Sequence, residues 1–178
     1  MSSQPSLAYE PGSDMTDRLP WTSKIVTIPA PADRVLALLT DLDGARGWLP
    51  RCATLEGTSA GPFARGTQWR EARRIAGIEV RRRMTVDAHT SSGFLASGPV
   101  DNGPVYSLRY SVHAQSAGSC SVMASLQPHT GATGGRRGLQ RLRPWFLRPE
   151  QIFCWLLRSD LIALAQAATT TAEQEHRR

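Results

Sequence analysis

WTSKIVTIPAPADRVLALLTDLDGARGWLP, residues 21–50, is the stretch on which the fold turns. Ile25, Val26, Thr27 and Ile28 are β-branched and suit a pleated strand. Pro29 and Pro31 end that strand, because proline cannot donate to a ladder and drives the preceding residue out of helical space. Asp33 then stands in the first turn of a new helix, where the exposed N–H groups favour a carboxylate. Val35, Leu38, Leu39 and Leu42 give the helix one apolar face at i, i+3, i+4, i+7 spacing. Asp41, Asp43 and Gly44 are expected to stop it, and the chain then delivers Trp48, Leu49 and Pro50.

Beyond Pro50 the sequence reads as short strands separated by turn residues, the pattern of a meandering antiparallel sheet. The expected strands are 52–56, 67–75, 78–86, 93–97, 105–113 and 119–126, with a hairpin turn at Ala76-Gly77. Residues 129–144 form a glycine-rich basic loop with room for a short helix at Leu139–Leu142. Pro149 followed by Glu150 opens the last helix. Its apolar stripe is Ile152, Phe153, Leu156, Leu157, Leu161, Leu164, Ala165 and Ala168. Trp155 lies one position off that stripe, and the closing EQEHRR is polar and expected to fray.

A chain of 178 residues is one domain by length. Residues 1–20, rich in Ser, Pro, Gly and acids, read as a disordered lead-in; 21–170 form the folded domain and 171–178 a polar tail. The lead-in has neither a basic start nor an apolar core, so it is no secretory signal. No run of about 20 apolar residues stands out, so a cytoplasmic location is expected. Net charge is +6, carried almost entirely by arginine, with Lys24 the only lysine. The arginines are scattered over strands, loop and tail, and no helix-turn-helix, aromatic RNA-binding strand or zinc knuckle accompanies them, so nucleic acid is not an expected partner. Cys52, Cys120 and Cys154 are far apart, without metal-ligand spacing to any histidine, so neither a disulfide nor a metal is expected. No GxGxxG, GxxxxGK[ST] or GxSxG motif is present, and no cofactor is expected.

The order "I-P-A-P-A-x-x-V", "T-D-L-D", "W-L-P" resembles the opening of the START-like, polyketide cyclase/dehydrase (SRPBCC) superfamily. Looser matches follow at Gly66–Glu71, "G-T-x-W-R-E", and at Leu156–Leu164, "L-L-x-x-D-L-x-x-L". The resemblance covers Trp21 to about Ala168. It implies an α+β helix-grip fold: a strongly curved antiparallel sheet wrapped around a long C-terminal helix, with two short helices after the first strand. It also implies an internal cavity for a small hydrophobic or aromatic molecule, in proteins that range from lipid carriers to aromatase/cyclases.

Strand parity nominates the polar groups of such a cavity. In 78–86 the apolar side is Ile78, Val80, Met84 and Val86, which carries Arg82 inward. In 67–75, Trp69 and Ile75 mark the inner face and bring Glu71 and Arg73 with them. In 105–113, Tyr106, Leu108, Tyr110 and Val112 share one side, with His113 opposite; His89 and His129 fall in turns. Two readings compete. Trp48, Trp69, Glu71, Arg73, Arg82, Tyr106 and Tyr110 line a ligand cavity, or the charged three form an inert cross-strand set at the sheet rim. A one-residue bulge would turn them outward altogether. As the only inward acid by this rule, Glu71 should pair with Arg73 or Arg82. Trp48 either stacks on ligand or plugs the open end of the sheet. The leading function is ligand binding. One alternative is a cyclase that folds a poly-β-keto chain, in which Arg73 or Arg82 polarises a carbonyl and Tyr106 or Tyr110 moves a proton. A second is a protein that meets an acidic partner or membrane surface through Arg136–Arg148.

Overall fold

The computed structural model describes residues 22–75, 77–101, 105–129 and 149–176, the last segment with side chains from 152 to 170. The lead-in, Trp21, the basic loop with its short helix at Leu139–Leu142, and Arg136–Arg148 lie outside the described residues. Among the described residues ten elements follow one another: β1 (Thr22–Ile28), α1 (Ala32–Thr40), α2 (Leu42–Trp48), β2 (Cys52–Gly57), β3 (Gln68–Ile75), β4 (Ile78–Thr90), β5 (Gly93–Pro99), β6 (Val105–Ser116), β7 (Ser119–Pro128) and α3 (Pro149–His176).

The strands form one antiparallel sheet in the order β1-β7-β6-β5-β4-β3-β2. It curls as a half-barrel, and α3 packs on β1, β7 and α1 in the helix-grip arrangement. Strict alternation on β6 and β7 sends Tyr106, Leu108, Tyr110, Val112, Cys120, Val122, Ala124 and Leu126 into the core. Leu157, Leu161, Leu164 and Ala168 meet them from α3 at helical spacing, and all four are buried. Contrary to expectation, residues Ile152–Thr170 are by length and composition able to cross a bilayer. Their inner face is instead built into this core, with a buried Asp160 on it.

Other departures from expectation have local causes. Asp43 and Gly44 do not end the first helical segment; both lie inside α2. Asp41 alone separates the helices, and its carboxylate accepts the Gly44 N–H at 2.9 Å, capping the new one. Ile78 is 41% exposed rather than inward, because it sits at the hairpin tip beside Gly77. Gly77 holds φ +82°, a conformation that L side chains rarely adopt. β4 runs on to Thr90, so His89 lies on a strand, with its ring edge-on to Phe63. Trp155 is exposed, and the Arg51 guanidinium stacks on it at 4.1 Å. α3 continues as helix to His176, past the onset of the expected fraying.

Candidate functional site

The β3–β4 hairpin builds the site. Its register sets Glu71 opposite Arg82, with Arg73 opposite Val80 and Trp69 opposite Met84. Two-residue spacing puts Trp69, Glu71 and Arg73 on one face. The bulge in β4 falls between Val86 and Ala88, beyond Arg82, so the parity that turns Arg82 inward survives. From above, α3 supplies Asp160, three residues after Leu157 and four before Leu164 on the same buried face.

These groups form one buried network. The Arg73 Nε–H donates to Glu71 Oε1 at 2.7 Å, and its Nη1 donates to both Asp160 oxygens at 2.7 and 2.9 Å. The Trp69 indole N–H donates to Glu71 Oε2 at 3.2 Å. Arg82 Nε lies 2.7 Å from Glu71 Oε1, an ion pair by distance. Its N–H is not aimed at that oxygen, and the buried Nε makes no hydrogen bond. Glu71, Arg73 and Asp160 are each 5% exposed or less; the Arg82 side chain retains 19%.

Burial alone would raise the Glu71 carboxyl, but Arg82 and Arg73 outweigh it and hold the group at about 2. Burial would release the Arg73 proton, but Glu71 and Asp160 more than reverse this and make it a more firmly held cation. Asp160 is pushed above the ordinary aspartate value by burial, against the pull of Arg73. Tyr106 is pushed up to about 12 by burial, and Tyr110 is raised chiefly by the same cause.

A cavity of about 40 Å³ lies against this network. Its polar side is Glu71, Arg73, Arg82 and Asp160; its apolar walls include Val80, Leu108 and Leu126 from the sheet and Phe153, Leu156 and Leu157 from α3. That volume is on the scale of a few water molecules, whereas sites for drug-sized ligands run to roughly 300–1,000 Å³. The space is narrow and lies between α3 and the sheet.

Three of the predicted site residues, Glu71, Arg73 and Arg82, thus come together on the cavity wall. Trp69 stands behind it as a donor to Glu71. Tyr106 and Tyr110 are buried and point inward, but neither lines this cavity: Tyr106 packs on Phe153 at 5.1 Å and Tyr110 on Phe94 at 5.4 Å. Trp48 is half-buried at the end of α2 and does not line this cavity, and its buried indole N–H has no hydrogen-bond partner. Asp160 is not among the predicted site residues. Its signal is the aspartate of "L-L-x-x-D-L-x-x-L", an acid inside an apolar stripe. Among the described residues no three His, Cys, Asp or Glu side chains gather as a metal-ligand set.

Solved structures with the same fold are numerous and distant in sequence. A START superfamily protein from Mycobacterium smegmatis superposes with a TM-score of 0.66 at 14% identity, covering 84% of this chain and 97% of that one. The Zhui aromatase/cyclase from Streptomyces sp. R1128 gives 0.61 at 18% identity, with 86% and 93% covered. Norcoclaurine synthase from Thalictrum flavum, in complex with dopamine and hydroxybenzaldehyde, gives 0.58 at 14% identity, with 84% and 86% covered. No curated protein matches the chain in sequence. The profile of the family described as "Polyketide cyclase / dehydrase and lipid transport" matches residues 22–143. Since that match spans more than half of its length, the chain belongs to the polyketide cyclase/dehydrase and lipid transport family of START-like proteins.

Proposed function

We propose that this protein binds a small hydrophobic or aromatic molecule between the sheet and α3, with the charged network as the polar end of the site. One observation carries the reading: Arg82 lines a cavity that is apolar on its remaining sides, and its buried Nε, beside Glu71, makes no hydrogen bond. A buried donor without an acceptor costs about 1–3 kcal/mol, which a ligand oxygen would recover on binding. At about 40 Å³ the cavity must open to admit such a molecule, and the wall formed by Phe153, Leu156 and Leu157 is the face of α3 that has to move. α3 is held mainly along β1, with a further contact to β7, and reaches β3 through the Asp160–Arg73 contact.

A second reading, a cyclase acting on a poly-β-keto chain, draws on the same Arg82 donor, which would polarise a carbonyl. The tyrosines are poor proton donors for it, since burial holds Tyr106 at about 12. Native mass spectrometry of freshly purified protein separates binding from its absence. A co-purified mass, displaced by competing hydrophobes, is the expected result. A bare chain mass, together with no saturable binding across a panel of aromatic ketones and lipids, would refute the proposal.

A further inference from the structure

Charge balance in the network reaches further, to the class of ligand. We infer that the site selects uncharged molecules bearing a hydrogen-bond-accepting oxygen and rejects carboxylates of the same skeleton. This rests on the ligand-binding reading above.

Two carboxylates, Glu71 and Asp160, face two guanidinium groups, Arg73 and Arg82, so the closed set is neutral. Arg73 is engaged through two of its nitrogens: its Nε is on Glu71 and its Nη1 on both Asp160 oxygens. Glu71 is engaged through both oxygens, Oε1 with Arg73 and Arg82, and Oε2 with Trp69. Of the buried nitrogens in this set, the Arg82 Nε–H is the one without a hydrogen-bond acceptor. The network therefore holds a vacant donor but no surplus positive charge.

A ketone or aldehyde oxygen would complete that donor and leave the balance intact. A carboxylate would complete the donor equally well, but would bring a third negative charge to two guanidinium groups, beside the Glu71 carboxylate. In a cavity walled by Val80, Leu108, Phe153 and Leu157, an uncompensated charge is far more costly than an unmade hydrogen bond. A hydrocarbon of the same shape would bring neither gain nor penalty. The expected order of affinity is ketone, then hydrocarbon, then carboxylate.

Matched probes test this: 2-acetonaphthone, 2-ethylnaphthalene and 2-naphthoate, with acetophenone, ethylbenzene and benzoate as the one-ring series. Each is titrated by calorimetry at pH 7.5 into the full chain. The ketone should bind at least about tenfold more tightly than the carboxylate, a lower bound for one uncompensated buried charge. Glu71→Gln makes the set net positive, so in that variant the carboxylate should gain on the ketone by a similar factor. Asp160→Asn makes the same charge change from the helix side, should the sheet variant fail to fold. Equal affinities in the wild type, or a preference for the carboxylate, would overturn the inference and leave ligand binding standing. Binding of no probe in either series would overturn the binding reading, and this inference with it.

Discussion

The two hairpins β6–β7 and β3–β4 obey the same alternation and bury opposite chemistries. Inward positions on β6–β7 are aliphatic, aromatic or small: Leu108, Tyr110, Val112, Cys120, Val122 and Leu126. Inward positions on β3–β4 include Glu71, Arg73 and Arg82 between Trp69, Val80 and Met84. The pleat dictates which side chains turn inward whether or not they are apolar. Charge is then tolerated only where each group finds a partner, and Asp160 on α3 supplies the one that β3–β4 lacks. One half of the sheet holds the helix; the other half holds the charged wall of the cavity.

The largest expected effect comes from removing the acceptor that β3–β4 depends on. Glu71→Ala strands Arg82 and leaves Arg73 with Asp160 alone, and should cost about 3–5 kcal/mol in urea denaturation. A variant with the wild-type midpoint would erase the distinction between the hairpins. On the apolar side, Leu161, which is 2% exposed, should cost about 2–5 kcal/mol when cut to Ala. Little or no loss there would mean that α3 is not anchored as described.

Acid should act on the charged half selectively. The Glu71 carboxyl is lowered from 4.5 to about 2, so its contribution is complete above pH 4.5 and is lost as pH falls towards 2. For this fully buried group the shift corresponds to about 3 kcal/mol. Asp160 is shifted the other way, so its burial penalty is relieved over its own acid range and offsets part of that loss. The stability gap between wild type and Glu71→Gln should therefore narrow between pH 4.5 and 2; a gap independent of pH would contradict the ion pairing of Glu71 with both arginines.

The smallest effect lies on the outer face of the same hairpin. Arg81 Nη2 meets Glu79 at 2.8 Å, nearly the same distance as Arg73 to Glu71, but its side chain is 76% exposed. Arg81→Ala should move stability by no more than about 0.5 kcal/mol. A loss comparable to that of Glu71→Ala would show that burial is not what separates the two pairs.

Most of this contrast is legible in the sequence, because strand period and the β-branched and aromatic residues fix which face is inner. Arg82 is placed correctly by Val80, Met84 and Val86 alone, since the bulge that would have reversed it comes later. Pairing across elements is less legible. The sequence shows that Glu71 needs a cation, and the register answers that it serves two, Arg73 and Arg82. It does not show that Asp160 will reach Arg73, because that depends on how α3 lies across the curved sheet. The same holds for Tyr106 and Tyr110: parity sends them inward, but Phe153 and Phe94 stand against their rings, and neither reaches the cavity wall. Strand ends are set by partner strands, which is why β4, β6 and β7 outrun their local hydrophobic pattern.

In the proposed binding mode Arg73 is structural and Arg82 faces ligand. Proton–nitrogen NMR of the arginine Nε–H groups, recorded while 2-acetonaphthone is added, reads both at once. The Arg82 resonance should shift with saturation while that of Arg73, held by Glu71 and Asp160, stays in place. An unmoved Arg82 with bound ligand, or shifts confined to exposed arginines such as Arg81 and Arg83, would contradict it.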